Sequence, residues 1–135
     1  MGTIVVGYVP KPEGRAALSR AAEEARLHSS RLVVVNSHRG GREFDRDDAV
    51  DTEADLAEVR RELDEAGVEH EIRTLERGMD PADDLVNVAG EVSAEFIVIG
   101  LRRRTPVGKL ILGSNAQRVL LDAPCPVLAV KADED

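Results

Sequence analysis

One cysteine, Cys125, stands alone in 135 residues. That excludes an intramolecular disulfide framework and any Cys-rich zinc site. No apolar run approaches the ~18–20 residues that a membrane-spanning helix needs. Met1 to Gly7 has no cationic stretch and runs straight into a strand-like pattern, so it does not read as a signal peptide. Gly2 is not set for myristoylation either, because Val6 stands where that signal wants Ser or Thr. Excess positive charge is also missing: 26 Asp plus Glu oppose 18 Lys plus Arg, for a net charge of -8. An acidic surface repels nucleic acid and anionic membranes, so neither DNA, RNA nor a membrane is expected as a partner. The expectation is one soluble, cytoplasmic domain spanning residues 1–135, long enough to bury a core without a disulfide or metal.

The catalytic signatures are absent as well. Gly108-Lys109 is followed by Leu110 rather than Ser or Thr, so no Walker phosphate loop is present. The first strand ends in Val9-Pro10, which leaves no GxGxxG opening for a dinucleotide fold. No GxSxG elbow occurs, and nothing local supports a Ser/His/Asp triad. His28, His38 and His70 are dispersed; only His28 has an acid one helical turn away, Glu24, and two ligands do not make a metal site. Asp47-Asp48 and Asp83-Asp84 read as loop and helix-start charges, and Cys125, between Pro124 and Pro126, reads as a buried small hydrophobe. No enzyme and no metal are expected.

What the chain does have is a regular alternation of patterns. Apolar, β-branched runs at 3–9, 32–35, 96–99 and 127–130 read as buried strands, and 68–75 alternates as a strand with one polar face. Between them, Ala17, Leu18, Ala21, Ala22 and Ala25, then Leu56, Val59, Leu63 and Ala66, then Leu85, Val86, Ala89 and Val92, step at helical spacing. The second of these helices covers about 52–66 and stops at Gly67; the third starts at Asp80-Pro81, with Asp80 as its cap. Ser114 opens the last helix, with Gln117 three residues on as a capping box. Residues 38–50, rich in Gly, Arg and Asp, read as a mobile surface loop, and 131–135 as a polar tail.

Strands alternating with crossover helices make an α/β fold: a doubly wound, five-stranded parallel sheet with helices on both faces. Glu69, Glu71 and Arg73 suit the third strand to a defended edge, and the wholly apolar strands suit the middle. The order 3-2-1-4-5 follows, with its switch point between strands one and four. A ligand crevice is expected there, beyond the carboxyl ends of the strands. It would be lined by Val9 and Lys11 of the first turn and by the 100–114 loop, which carries Arg102, Arg103 and Arg104. Gly100 and Gly113 would admit a close backbone, Arg102 or Arg103 would add charge, and Ser114 with the Asn115 N–H would present the helix N-terminus to a phosphate. Gly100 and Gly113 equally suit a strand end and a helix entry, and Ser114 equally suits its capping box.

Gly100-Leu101-Arg102-Arg103, then nine residues and Gly113-Ser114, followed by Pro124-Cys125-Pro126-Val127-Leu128-Ala129-Val130, resemble the signature of the universal stress protein (UspA) family. Ile4-Val5-Val6-Gly7 and Ala21-Ala22-Glu23-Glu24-Ala25 are similar to that family's first strand and helix. The resemblance implies a homodimer paired through the last strand, Val127, Leu128, Ala129 and Val130, and a crevice for ATP or another adenine nucleotide. It also marks two departures: Arg103 replaces the motif's second glycine, and Val9, with Lys11 beyond it, replaces an acid that commonly faces the nucleotide. The resemblance thus implies a non-catalytic, homodimeric regulatory protein of the stress response. The alternatives are a nucleotide-free protein-interaction module of the same fold and, more distantly, slow nucleotide hydrolysis.

Overall fold

A computed structural model describes residues 2–38, 46–76, 80–101 and 114–132. Strands and helices alternate in chain order: β1 (Thr3–Gly7), α1 (Pro12–His28), β2 (Arg31–His38), α2 (Arg46–Ala66), β3 (His70–Glu76), α3 (Pro81–Glu91), β4 (Phe96–Leu101), α4 (Ser114–Asp122) and β5 (Val127–Lys131). All strand pairs are parallel, and the order is β3-β2-β1-β4-β5, as the polar and apolar patterns predict.

The period-two alternation of side chains sorts the core into two layers. Ile4 and Val6 of β1 and Tyr8 just beyond it, with Leu32 and Val34 of β2, pack with Ala17 and Leu18 of α1 and Val59 and Leu63 of α2. Val5, Val33 and Val35 turn the other way, with Ile97 and Ile99, onto Leu85 and Val88 of α3 and Val119 of α4. Both faces of the sheet are therefore covered, which is why Ile4 to Val6, Leu32 to Val35 and Ile97 to Ile99 at its centre carry no polar residue.

The chain ends of the helices repeat one device. At α2, the Gly67 N–H donates to Asp64 O (3.1 Å) and the Val68 N–H to Leu63 O (3.0 Å), with Gly67 at φ 73°. Those two bonds satisfy carbonyls that the helix leaves open, and Val68 packs with Leu63 in the core beneath. The same pair of bonds closes α1 at Ser29 (φ 53°) and α3 at Ser93 (φ 52°), where serine stands in the left-handed conformation that glycine usually fills.

Several boundaries differ from those the sequence predicts. α2 begins at Arg46 rather than near Thr52, so residues 46–50 of the expected loop are helical; residues 39–45 of that loop lie outside the described residues. β3 begins at His70 rather than Val68, since the Val68 N–H is used to close α2. Asp80 does sit at the cap position of α3, but its side chain makes no cap hydrogen bond; Arg118 Nη1 of α4 donates to its Oδ2 instead, at 3.1 Å. Cys125 is half-buried rather than fully buried, because exposed Pro124 and Pro126 hold it in a surface turn. Its burial still raises the thiol pKa and keeps it protonated.

The β3 edge is charged as expected. Arg31 donates to Glu71 (2.6 Å), and Arg73 bridges Glu71 (2.7 Å) and Glu91 (2.9 Å). The Arg73 hydrogen bond, with help from Arg31, holds the Glu71 carboxyl below its ordinary range.

Candidate functional site

The chain leaves β1 by a tight turn. The Tyr8 N–H still donates to Val35 O of β2 (3.0 Å), but Val9 O turns back to accept from the Lys11 N–H (2.8 Å). Lys11 is extended (φ -139°, ψ 163°), and Pro12 fills the first helical position, where its missing N–H leaves no bond unmade. The Arg15 N–H then donates to Lys11 O at 3.0 Å, and α1 is under way.

Two glycines allow this turn to fold onto the sheet. A Cβ at Gly14 would lie 1.8 Å from Val9 O, and one at Gly100 would lie 1.9 Å from Glu13 O. Gly14 thus makes room for the turn within its own helix, and Gly100 makes room for α1 to start against β4. At Gly100 the space freed by the missing side chain is occupied by protein backbone.

A cavity of about 210 Å³ opens beside that turn, at the carboxyl ends of β1 and β4. Gly7, Tyr8 and Val9 form one wall, Glu13 and Gly14 of α1 a second, and Ile99 and Gly100 of β4 its back. Pro81, Ala82 and Leu85 of α3 face Asn115, Ala116 and Val119 of α4 across the remaining side, with Val35 of β2 below. This is the switch point of the sheet, where the strand order reverses and the chain ends diverge to leave a crevice. The lining is mostly apolar, and only Tyr8 and Glu13 among these residues titrate.

Electrostatics fix both sides of the crevice. Tyr8 is buried (3% exposed), and its hydroxyl donates to Asp55 Oδ2 on α2. Burial and that carboxylate together raise the phenol pKa strongly, so Tyr8 remains a donor. Arg15 approaches the same carboxylate at 3.6 Å, tying α1 to α2. Opposite, Arg118 of α4 reaches Asp80 (3.1 Å) and Asp83 at the start of α3. The start of α3 is therefore pinned to the middle of α4.

Glu13 differs from these satisfied groups. Its Oε1 is out of contact with water and has no hydrogen-bond partner among the described residues. It is the one buried side-chain oxygen or nitrogen of which that holds among them.

Of the residues predicted for a site, Val9, Gly100 and Asn115 come together on this cavity. Val9 is 39% exposed at its mouth, and Lys11 is exposed on the adjoining turn. Ser114 begins α4 beside Asn115, its side chain outside the described residues, as are Arg102, Arg103 and Gly113 altogether. The sequence reading missed Tyr8, Glu13 and Gly14. Their signal was the run Pro12-Glu13-Gly14, in which a proline already placed the helix start and left the glycine without a turn to explain it. Among the described residues no group of His, Cys, Asp or Glu is arranged to hold a metal ion, and no helix is long and apolar enough to cross a membrane.

β5 terminates the sheet. The Ala132 N–H donates to Leu101 O (2.9 Å) and Pro126 O accepts from Ile97 (3.0 Å), so in the parallel ladder the even-numbered residues face β4. The N–H and C=O groups of Val127, Ala129 and Lys131 consequently point to the open edge.

Comparison with known proteins agrees with this architecture. The universal stress protein family model matches residues 1–131. A universal stress protein of Mycolicibacterium smegmatis is 44% identical over 128 residues, covering 95% of this chain and 96% of its own. The universal stress protein from Archaeoglobus fulgidus, solved in complex with dAMP, superposes with a TM-score of 0.77 at 35% identity, over 97% of this chain and 98% of its own. A universal stress protein solved in complex with cAMP gives a TM-score of 0.74 at 26% identity, over 98% of each chain. Strand order, switch-point crevice and whole-length similarity agree: the chain belongs to the universal stress protein family.

Proposed function

We propose that the crevice between β1 and β4 binds an adenine nucleotide, and that the protein acts in the stress response by binding rather than by turnover. The observation that carries this reading is the crevice itself. It lies at the switch point, where Gly14 and Gly100 let the first turn of α1 pack against Val9 and β4, and α4 starts at its rim, where the free N–H groups of a helix start and the positive end of its dipole suit a phosphate. Relatives of 35% and 26% identity have been solved with dAMP and cAMP, which supports an adenine nucleotide as the ligand. Gly100 and Asn115 line the space, Ser114 and Gly113 flank the helix start, and Arg102 or Arg103 adds positive charge. Binding without turnover fits a lining whose ionisable groups, among the described residues, are Glu13 and a phenol already committed to Asp55. Mass spectrometry of ligands released from the purified protein, followed by calorimetry with ATP, ADP, AMP and cAMP, tests the proposal. Heat with at least one of the four is expected. No released nucleotide and no heat with any of them would refute it and favour a protein-interaction module.

The protein acts as a homodimer paired through β5. The outward N–H and C=O groups of Val127, Ala129 and Lys131 form a ready pairing edge on an otherwise apolar strand. Ala129→Pro removes one outward N–H and leaves the bonds to β4 in place. It should shift the mass in light scattering from dimer to monomer, and an unchanged dimer would reject this edge.

A further inference from the structure

Carboxylates at the seams between elements have partners: Asp55 has Tyr8 and Arg15, Glu71 has Arg31 and Arg73, Asp80 and Asp83 have Arg118, and Glu95 has the Ser30 hydroxyl. Glu13 breaks the pattern. Its Oε1 is closed off from water and has no partner among the described residues, and the residue lines the crevice. A carboxylate oxygen deprived of both water and a donor is costly, more so than a neutral group in the same position. A turn of the Glu13 side chain into the crevice, met there by a ligand N–H or O–H, removes that cost. The same ligand gains more there than it would from a carboxylate that water already served.

We infer that Glu13 is a specificity-determining residue of the crevice, accepting a hydrogen bond from the nucleoside part of the ligand. This rests on the nucleotide reading above. Phosphate oxygens cannot serve, because at neutral pH they carry negative charge and only accept. Glu13 therefore repels the phosphate, while the start of α4 across the crevice attracts it, and the two together orient the ligand. The donors that remain on an adenine nucleotide are the ribose hydroxyls and the amino group of the base. Gly100 keeps Glu13 where it is: the Glu13 carbonyl rests in the space that a Gly100 side chain would take, which anchors this residue of α1 against β4.

The test compares the wild type with Glu13→Met, which has similar length and no acceptor, and Glu13→Gln, which keeps a carbonyl acceptor. Affinities for AMP, its 2′-deoxy and 3′-deoxy forms, and the purine ribonucleotide without the 6-amino group are measured by calorimetry. Melting temperatures are taken with and without AMP. Glu13→Met should weaken AMP by about tenfold or more, the scale of a hydrogen bond to a charged group, while Glu13→Gln retains part of the affinity. One of the three analogues should already bind the wild type about tenfold more weakly and lose nothing further in Glu13→Met, which identifies the donor as a sugar hydroxyl or the base amino group. The melting temperature without ligand should not fall, while the rise produced by AMP shrinks. AMP affinity within about twofold of wild type in Glu13→Met would overturn the inference and leave the nucleotide reading standing, since twofold is far below the value of such a bond. Equal losses for all four ligands, with a lower melting temperature in the absence of ligand, would overturn it in favour of a structural role. If the wild type binds none of the four, the nucleotide reading fails and this inference with it.

Discussion

The clearest perturbation is a single methyl group at Gly100. In Gly100→Ala the new Cβ would lie 1.9 Å from Glu13 O, 2.5 Å from Glu13 C and 3.1 Å from Glu13 Cα. All three contacts are with backbone, so no side chain can rotate away. To reach a separation of about 3.2 Å, the first turn of α1 must retreat by more than an ångström, carrying Glu13, Gly14 and the Val9 turn with it. Overpacking of this kind costs about 1–3 kcal/mol, against a gain of about 0.4–1 kcal/mol from the less flexible unfolded chain. At about 2.1 cal/mol/K per residue, 135 residues give an unfolding entropy near 0.28 kcal/mol/K. A net loss of about 1–2 kcal/mol then lowers the melting temperature by about 4–7 °C. Gly90→Ala makes the same chemical change where nothing lies within 4 Å, near the end of α3. There the helix gains about 0.5 kcal/mol, which raises the melting temperature by about 2 °C. Differential scanning calorimetry of both variants decides the matter. A Gly100→Ala protein melting at or above the wild-type temperature would refute the close approach of α1 to β4, and with it the geometry of the crevice.

Two further predictions concern groups around the site and the helix ends. Tyr8→Phe removes the hydroxyl that Asp55 accepts and should cost about 1–2 kcal/mol at neutral pH by urea titration. The raised phenol pKa also carries a sign: its stabilising effect is complete below the unfolded value of about 10 and is lost as pH rises above it. The wild type should therefore lose its advantage over Tyr8→Phe as pH rises from about 10 toward 12, and a pH-independent difference across that window would count against a buried phenol beside Asp55. At the helix ends, Ser29→Gly and Ser93→Gly relieve a left-handed serine and should each add about 0.5 kcal/mol, whereas Gly67→Ala should lose about 1 kcal/mol. Equal melting temperatures for all three variants would show that these closures store no backbone strain.

The sheet was legible because burial leaves a period. Strands covered on both faces must be apolar at every position, and helices packed on one side must be apolar at every third or fourth. Leu32-Val33-Val34-Val35 and the Leu56, Val59, Leu63 series state both rules in the sequence itself, and Glu71 with Arg73 announces the edge. The ends were less legible. Gly67 declares its left-handed conformation by being glycine, while Ser29 and Ser93 adopt the same conformation in silence, because the two backbone hydrogen bonds that close the helix hold them there. Asp80 has the composition of a cap, yet its carboxylate goes to Arg118, 38 positions away, a pairing that no local rule contains.

The crevice shows the same limit in its chemistry. Read by position, Val9 takes an acid out of the site, since it stands where the resembling family commonly carries one after the first strand. In space a carboxylate is still present, four residues later. Gly14 lets α1 begin directly against Val9, and Gly100 lets that beginning lie on β4, so Glu13 lines the same cavity as the residue it follows. Position along the chain predicts position in a site only where the backbone path is fixed, and here two glycines shorten the path. An overall charge of -8 disfavours polyanions at the surface, but it does not decide the sign at one crevice. There, a buried Glu13 oxygen with no donor among the described residues on one side and a helix N-terminus on the other favour a small ligand that donates at one end and is anionic at the other.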